Sequence, residues 1–115
     1  MFGHERFEAY KISIEFLKLA LALSLSESIP PGYAMVKDQL KRAALSIPLN
    51  IAEGSGKAST QDRKKYYVIA RGSAMECSAI CDVLNLIDHK YSVRTNEAKD
   101  FLTSIVSILT VVCSR

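Results

Sequence analysis

Residues 7–28 read FEAYKISIEFLKLALALSLSES, and the spacing of their large apolar side chains decides the fold. Tyr10, Ile14, Leu17, Leu21 and Leu25 recur at three- and four-residue intervals, the period that aligns one stripe of an α-helix. The spacing predicts a helix over 7–28 with that stripe turned to the core. A second row, Ile12, Phe16, Leu19 and Leu23, is offset by two positions. Two residues of a helix turn through about 200°, so the rows lie nearly back to back and one core can bury only one of them. Ile12, Phe16, Leu19 and Leu23 are therefore expected to meet another copy of the chain, since apolar patches of that size are uncommon on monomers.

Working outward, Ile29-Pro30-Pro31-Gly32 stops this helix. A second is expected over 35–53, with Val36, Leu40, Ala43, Ile47 and Ile51 inward and a kink or break at Pro48. Gly54-Ser55-Gly56 closes it, with Gly54 suited to a left-handed cap. Ser59 caps a third helix over 60–88, with Asp62 in capping-box position and Tyr66, Ala70, Ser73, Cys77, Ile80, Leu84 and Ile87 as its stripe. Thr95 is expected to cap a fourth over 95–114, carrying Ala98, Leu102, Ile105, Leu109 and Val112. No Asn-Gly or Asp-Gly hairpin turn occurs. Short connections make sequence neighbours antiparallel. The expected fold is all-α: one domain, residues 1–115, an antiparallel up-and-down four-helix bundle.

Composition narrows the function. Of 115 residues 49% are apolar, enough for one continuous core. The longest membrane-like run, Phe16 to Leu25, is short and interrupted by Lys18 and Ser24. Residues 1–6 lack the basic-then-apolar layout of a secretion signal, so a cytoplasmic location is expected. The odd count of cysteines, Cys77, Cys81 and Cys113, argues for free buried thiols rather than a disulfide framework. Neither a Glu-x-x-His pair, a glycine-elbow serine nor a phosphate-binding glycine loop occurs, so no catalytic site, metal or cofactor is expected.

The net charge of +3 is small, but its distribution is uneven. Lys37, Lys41, Arg42, Lys57, Arg63, Lys64, Lys65 and Arg71 crowd the middle of the chain against Asp38, Glu53 and Asp62 alone. Lys37, Lys41, Arg42, Lys57, Arg63, Lys64 and Lys65 are the candidate contacts to nucleic-acid phosphates. Two polar islands border the apolar stripes: Asn50 with Glu53, and Ser73 with Glu76. Three residues apart on a helix share a face, so Asn50, Glu53, Ser73 and Glu76 are expected to form a polar brace between the second and third helices.

Residues 39–57, QLKRAALSIPLNIAEGSGK, and 67–76, YVIARGSAME, resemble the signature of bacterial four-helix bundle proteins encoded in intervening sequences of 23S ribosomal RNA genes. They also resemble the accessory proteins of diversity-generating retroelements. The signature falls on Arg42, Ser46, Asn50, Glu53, Gly54, Lys57, Arg71, Gly72, Ser73 and Glu76. The family often has arginine where Lys57 stands, and lysine lacks the planar fork. The resemblance implies a homopentameric ring whose retroelement relatives bind nucleic acid and a reverse transcriptase through basic surfaces. The expectation is a non-enzymatic, oligomeric protein that binds structured RNA or DNA, RNA favoured. The alternative is a scaffold ring that docks a protein such as a reverse transcriptase without intrinsic nucleic-acid function; neither reading involves a membrane.

Overall fold

The computed structural model describes residues 2–25 and 30–114. Four α-helices account for most of them: α1 (Glu8–Ser24), α2 (Ala34–Ser55), α3 (Thr60–Ile87) and α4 (Ser92–Cys113). Turns of 3₁₀ helix, Gly3–Arg6, Pro31–Tyr33 and His89–Tyr91, lead into three of them. Among the described residues none lies in a strand. α2 packs on α1 and α3, and α4 on α3 and α1, so the helices close a square around one core. The part of the expected first helix over 26–28 lies outside the described residues.

Local signals explain most of the boundaries. Ser59 Oγ accepts from the Asp62 amide at 3.1 Å and fixes the start of α3. α4 begins at Ser92, one turn before Thr95, which corrects the expected cap. Thr95 is buried, and its hydroxyl donates to Asn85 Oδ1 (3.0 Å) on α3 and lies 3.2 Å from the Ser92 carbonyl. Pro48 does not break α2, which runs continuously through it. Gly54 is not a left-handed cap either: it is a buried helical residue, and no described glycine has a positive φ. Its role is spatial and is taken up below.

The core follows the expected stripes in α2 (Leu40, Ala43, Ile47, Ile51) and α4 (Ala98, Leu102, Ile105, Leu109). In α3 the phase is shifted by one residue at its start: Tyr67 is buried, whereas Tyr66 is half-buried.

α1 reverses the expectation. Phe16 and Leu23 are each 1% exposed, at the centre of the chain's own core, and Ile12 and Leu19 are half-buried against it. The row assigned to the core divides: Tyr10 and Leu17 are half-buried against it, whereas Ile14 is 39% exposed, Leu21 41% and Leu25 78%. The buried face of α1 consists of Ala9, Ser13, Phe16, Ala20, Leu23 and Ser24. Its small residues admit neighbouring helices closely. The serines can be dry because each hydroxyl donates to a carbonyl of its own helix, Ser13 to Tyr10 O (2.6 Å) and Ser24 to Leu21 O (2.8 Å).

Candidate functional site

The polar contacts between α2 and α3 run along one seam. Ser46 and Ser73 share a hydrogen bond at 2.9 Å. Asn50 Nδ2 donates to Ser46 Oγ (2.9 Å) and to Ser46 O (2.8 Å), which holds the serine in place. One end of the seam is closed by Gln39 Nε2 donating to Glu76 Oε1 at 3.1 Å. Asn50 and Ser73 thus meet through Ser46, and Glu76 belongs to the seam through Gln39. Glu53 does not join it: its carboxylate pairs with Lys57 at 3.3 Å, one turn on. Ser46 stood in the signature without a role, and Gln39, a lone amide three residues before Arg42, carried no pattern that marked it as the partner of Glu76.

The basic residues separate into two groups. Lys37, Lys41 and Arg42 lie on the first half of α2, whereas Lys57, Arg63, Lys64 and Lys65 surround the turn from α2 to α3. About 20 Å of helix separates Lys41 from the end of α2. Lys41 is paired with Asp38 at 3.4 Å on the exposed surface. Lys57 sits between Glu53 and the Tyr66 ring, 5.2 Å from its centroid. The hydrogen bond that Lys57 donates to Glu53, reinforced by nearby Tyr66, raises the Lys57 pKa above its ordinary value, so the ammonium stays charged. Lys37, Arg42, Lys64 and Lys65 have no ion-pair or hydrogen-bond partner among the described residues.

Arg63 is tethered from within the turn. Its Nε donates to the Lys57 carbonyl at 2.7 Å, and Nη2 reaches the Ala58 carbonyl at 3.5 Å. The guanidinium is thereby fixed beside a cleft of about 360 Å³ lined by Gly3, Phe7, Ser55, Arg63, Tyr67 and Val112. The turn before α1, the end of α2, the start of α3 and the end of α4 all contribute to this wall. Ser55 Oγ and Tyr67 OH are 3.1 Å apart, and the Phe7 and Tyr67 rings meet edge to face with centroids 5.6 Å apart.

Gly54 explains how Tyr67 reaches this position. A methyl group on Gly54 would stand 2.8 Å from Tyr67 Cε1, 3.0 Å from Cδ1 and 3.1 Å from the Arg63 carbonyl oxygen. Only a residue without a side chain lets α3 approach α2 so closely here. Phe7, Ser55 and Tyr67 were not among the expected site residues. Tyr67 had one usable signal: it repeats at seven-residue intervals with the buried Ala74 and Cys81.

The thiols stand apart from these surfaces. Burial pushes Cys77 up to about 12 and Cys81 up to about 11, whereas Cys113 is only half-buried. Among the described residues no three His, Cys, Asp or Glu side chains gather at one point, and no helix is long and apolar enough to cross a membrane.

The model of one protein family, the 23S rRNA-intervening sequence proteins, matches residues 5–111. None of the curated proteins matches the chain.

Proposed function

We propose that this chain, which belongs to the 23S rRNA-intervening sequence protein family, is a non-enzymatic, self-associating cytoplasmic protein that binds structured nucleic acid, RNA in preference, through backbone phosphates. The observation that carries this reading is the cluster Lys57, Arg63, Lys64 and Lys65 at one end of the helices, with Lys64 and Lys65 unpaired among the described residues. Untethered lysines displace counterions from phosphates without reading sequence. Lys37, Lys41 and Arg42 add a second patch along α2.

The helices are read as an antiparallel, up-and-down bundle. The support is the order of contacts: Ser55–Tyr67, Ser46–Ser73 and Gln39–Glu76 step backward along α2 as they advance along α3. Asn85–Thr95 and Asp82–Lys99 do the same between α3 and α4.

Self-association, with a pentameric ring as the form the family resemblance suggests, is placed on the outward row of α1, Ile14, Leu21 and Leu25. Ile12, Phe16, Leu19 and Leu23 are occupied within the chain. Leu45 and Leu49, 47% and 59% exposed on α2, are further apolar side chains on the outside of the bundle. Assembly multiplies each basic patch and turns weak monomer contacts into avidity.

The test is the salt dependence of binding to a structured RNA. With about four phosphates engaged, a fourfold rise in salt weakens binding roughly a hundredfold. Affinity independent of salt, or no binding at low salt, overturns the reading. If a nuclease-treated lysate still yields a bound protein such as a reverse transcriptase while free RNA does not bind, the chain is a protein scaffold instead.

A further inference from the structure

The cleft beside Arg63 has chemistry that phosphate contact alone does not require. A surface that only neutralises phosphates needs exposed cations; this one adds aromatic walls, paired hydroxyls and a guanidinium held in one orientation. We infer that it receives a single unpaired nucleotide of the bound RNA, with its base against Phe7, which the buried Tyr67 backs, and its phosphate on Arg63. This rests on the nucleic-acid reading above and names the feature of the RNA that the end of the molecule recognises.

Each part of the cleft suits one part of a nucleotide. Arg63 Nε is committed to the Lys57 carbonyl, which fixes the plane of the guanidinium, while its Nη1 has no partner among the described residues. A fork held this way is set for a phosphate with little loss of side-chain freedom. Ser55 and Tyr67 share one hydrogen between their oxygens, so the second hydroxyl hydrogen of the pair is left to donate to a sugar or base edge. Phe7 is half-buried, Val112 closes the apolar side, and the edge-to-face contact with Tyr67 holds the Phe7 ring as a wall. Bases stack on such rings without regard to sequence.

The cleft is an open depression of about 360 Å³, so its lining rather than enclosure would hold the nucleotide. Lys57, Lys64 and Lys65 belong to the same end of the helices, outside the lining of the cleft, and can take phosphates further along the strand. Two other clefts among the described residues lack this combination. The groove lined by Met75, Lys99, Leu102 and Val106 has its ammonium tied to Asp82, and the one lined by Met35, Val36, Ile80 and Val83 holds no cation.

The experiment uses the full chain and three labelled RNA hairpins in fluorescence anisotropy. One is blunt, one has a short unpaired overhang, and one has the same overhang made abasic. The expected result is that the overhang binds about tenfold more tightly than its abasic counterpart. Phe7→Leu and Arg63→Gln should each reduce this ratio toward one, whereas Lys65→Gln should weaken all three hairpins and preserve it. Thermal melting of each variant checks folding; if Phe7→Leu does not fold, the exposed Arg63→Gln carries the test. Equal binding of the overhang and its abasic form by the wild type overturns this inference while leaving phosphate binding intact. A ratio that survives in the folded variants overturns it as well. Failure of every hairpin to bind at low salt overturns both readings together.

Discussion

Replacing Gly54 by alanine tests the packing that forms the basic end of the molecule. Within a helix the exchange normally stabilises by up to about 1 kcal/mol, because glycine loses more backbone freedom on folding. At Gly54 the added methyl would meet Tyr67 Cε1 at 2.8 Å and the Arg63 carbonyl at 3.1 Å. Neither neighbour yields easily. The Tyr67 ring is 7% exposed, packed against Phe7 and bonded to Ser55, and the carbonyl belongs to the first turns of α3. Overpacking of this kind costs about 1–3 kcal/mol, which outweighs the gain in propensity. The net expectation for Gly54→Ala is a loss of about 1–2 kcal/mol, a fall in Tm of several degrees. Gly72→Ala is the control: Gly72 is exposed within α3, and a methyl there meets nothing within 4 Å. It should stabilise by about 0.5–1 kcal/mol. Urea and thermal unfolding followed by circular dichroism read both. If the two variants are equally stable, the close approach at Gly54 is not a constraint and the reasoning fails. A cycle with Tyr67→Leu should recover part of the Gly54→Ala loss, because the smaller side chain can vacate the contact.

Ser46→Ala and Ser73→Ala should each destabilise by about 1 kcal/mol in urea unfolding, and the double variant by less than the sum, since both remove one shared bond. On α1, Phe16→Ala should cost about 3–5 kcal/mol, whereas Ile14→Glu with Leu21→Lys should leave a folded monomer by light scattering. An assembly unchanged by the latter pair would remove the outward row from the interface. At about pH 8 a thiol reagent should label Cys113 quickly and leave Cys77 and Cys81 nearly untouched, because buried thiols remain protonated. Both thiols ionise more readily in the unfolded chain, so their contribution to stability is lost as pH rises from the ordinary thiol range through about 11 to 12. Replacing both by alanine should flatten that part of the alkaline melting profile; an unaltered slope would assign it to other groups.

Much of the fold is legible along the chain where large and small residues separate cleanly. In α2 the inward stripe Leu40, Ala43, Ile47 and Ile51 reads directly, as does the Ser59 cap of α3. α1 defeats the same approach because leucines occupy both sides of the helix. Its buried face is marked by Ala9, Ser13, Ala20 and Ser24, whose smallness permits close packing, and counting large apolar side chains passes over them. Proline misleads at position 48 because the buried environment of α2 outweighs one missing amide. The basic residues are visible in the sequence, but their division into two groups follows from the length of α2. The Arg63 cleft was hidden for a plainer reason: Gly3, Ser55 and Val112 become neighbours only after the ends of several helices have come together.

The serines of α1 have a consequence for how the molecule is held together. Both hydroxyls turn back onto their own helix, and among the described residues no side-chain hydrogen bond or ion pair ties α1 to another helix. α2 is stitched to α3 by Ser46–Ser73 and Gln39–Glu76, and α3 to α4 by Asn85–Thr95 and Asp82–Lys99. Among the described residues three helices are thus pinned to one another in sequence by side-chain bonds, and α1 is held by packing. The leading helix therefore takes its register from interlocking side chains such as Phe16 and Leu23, and a neighbour seated on its outer side would add to that grip.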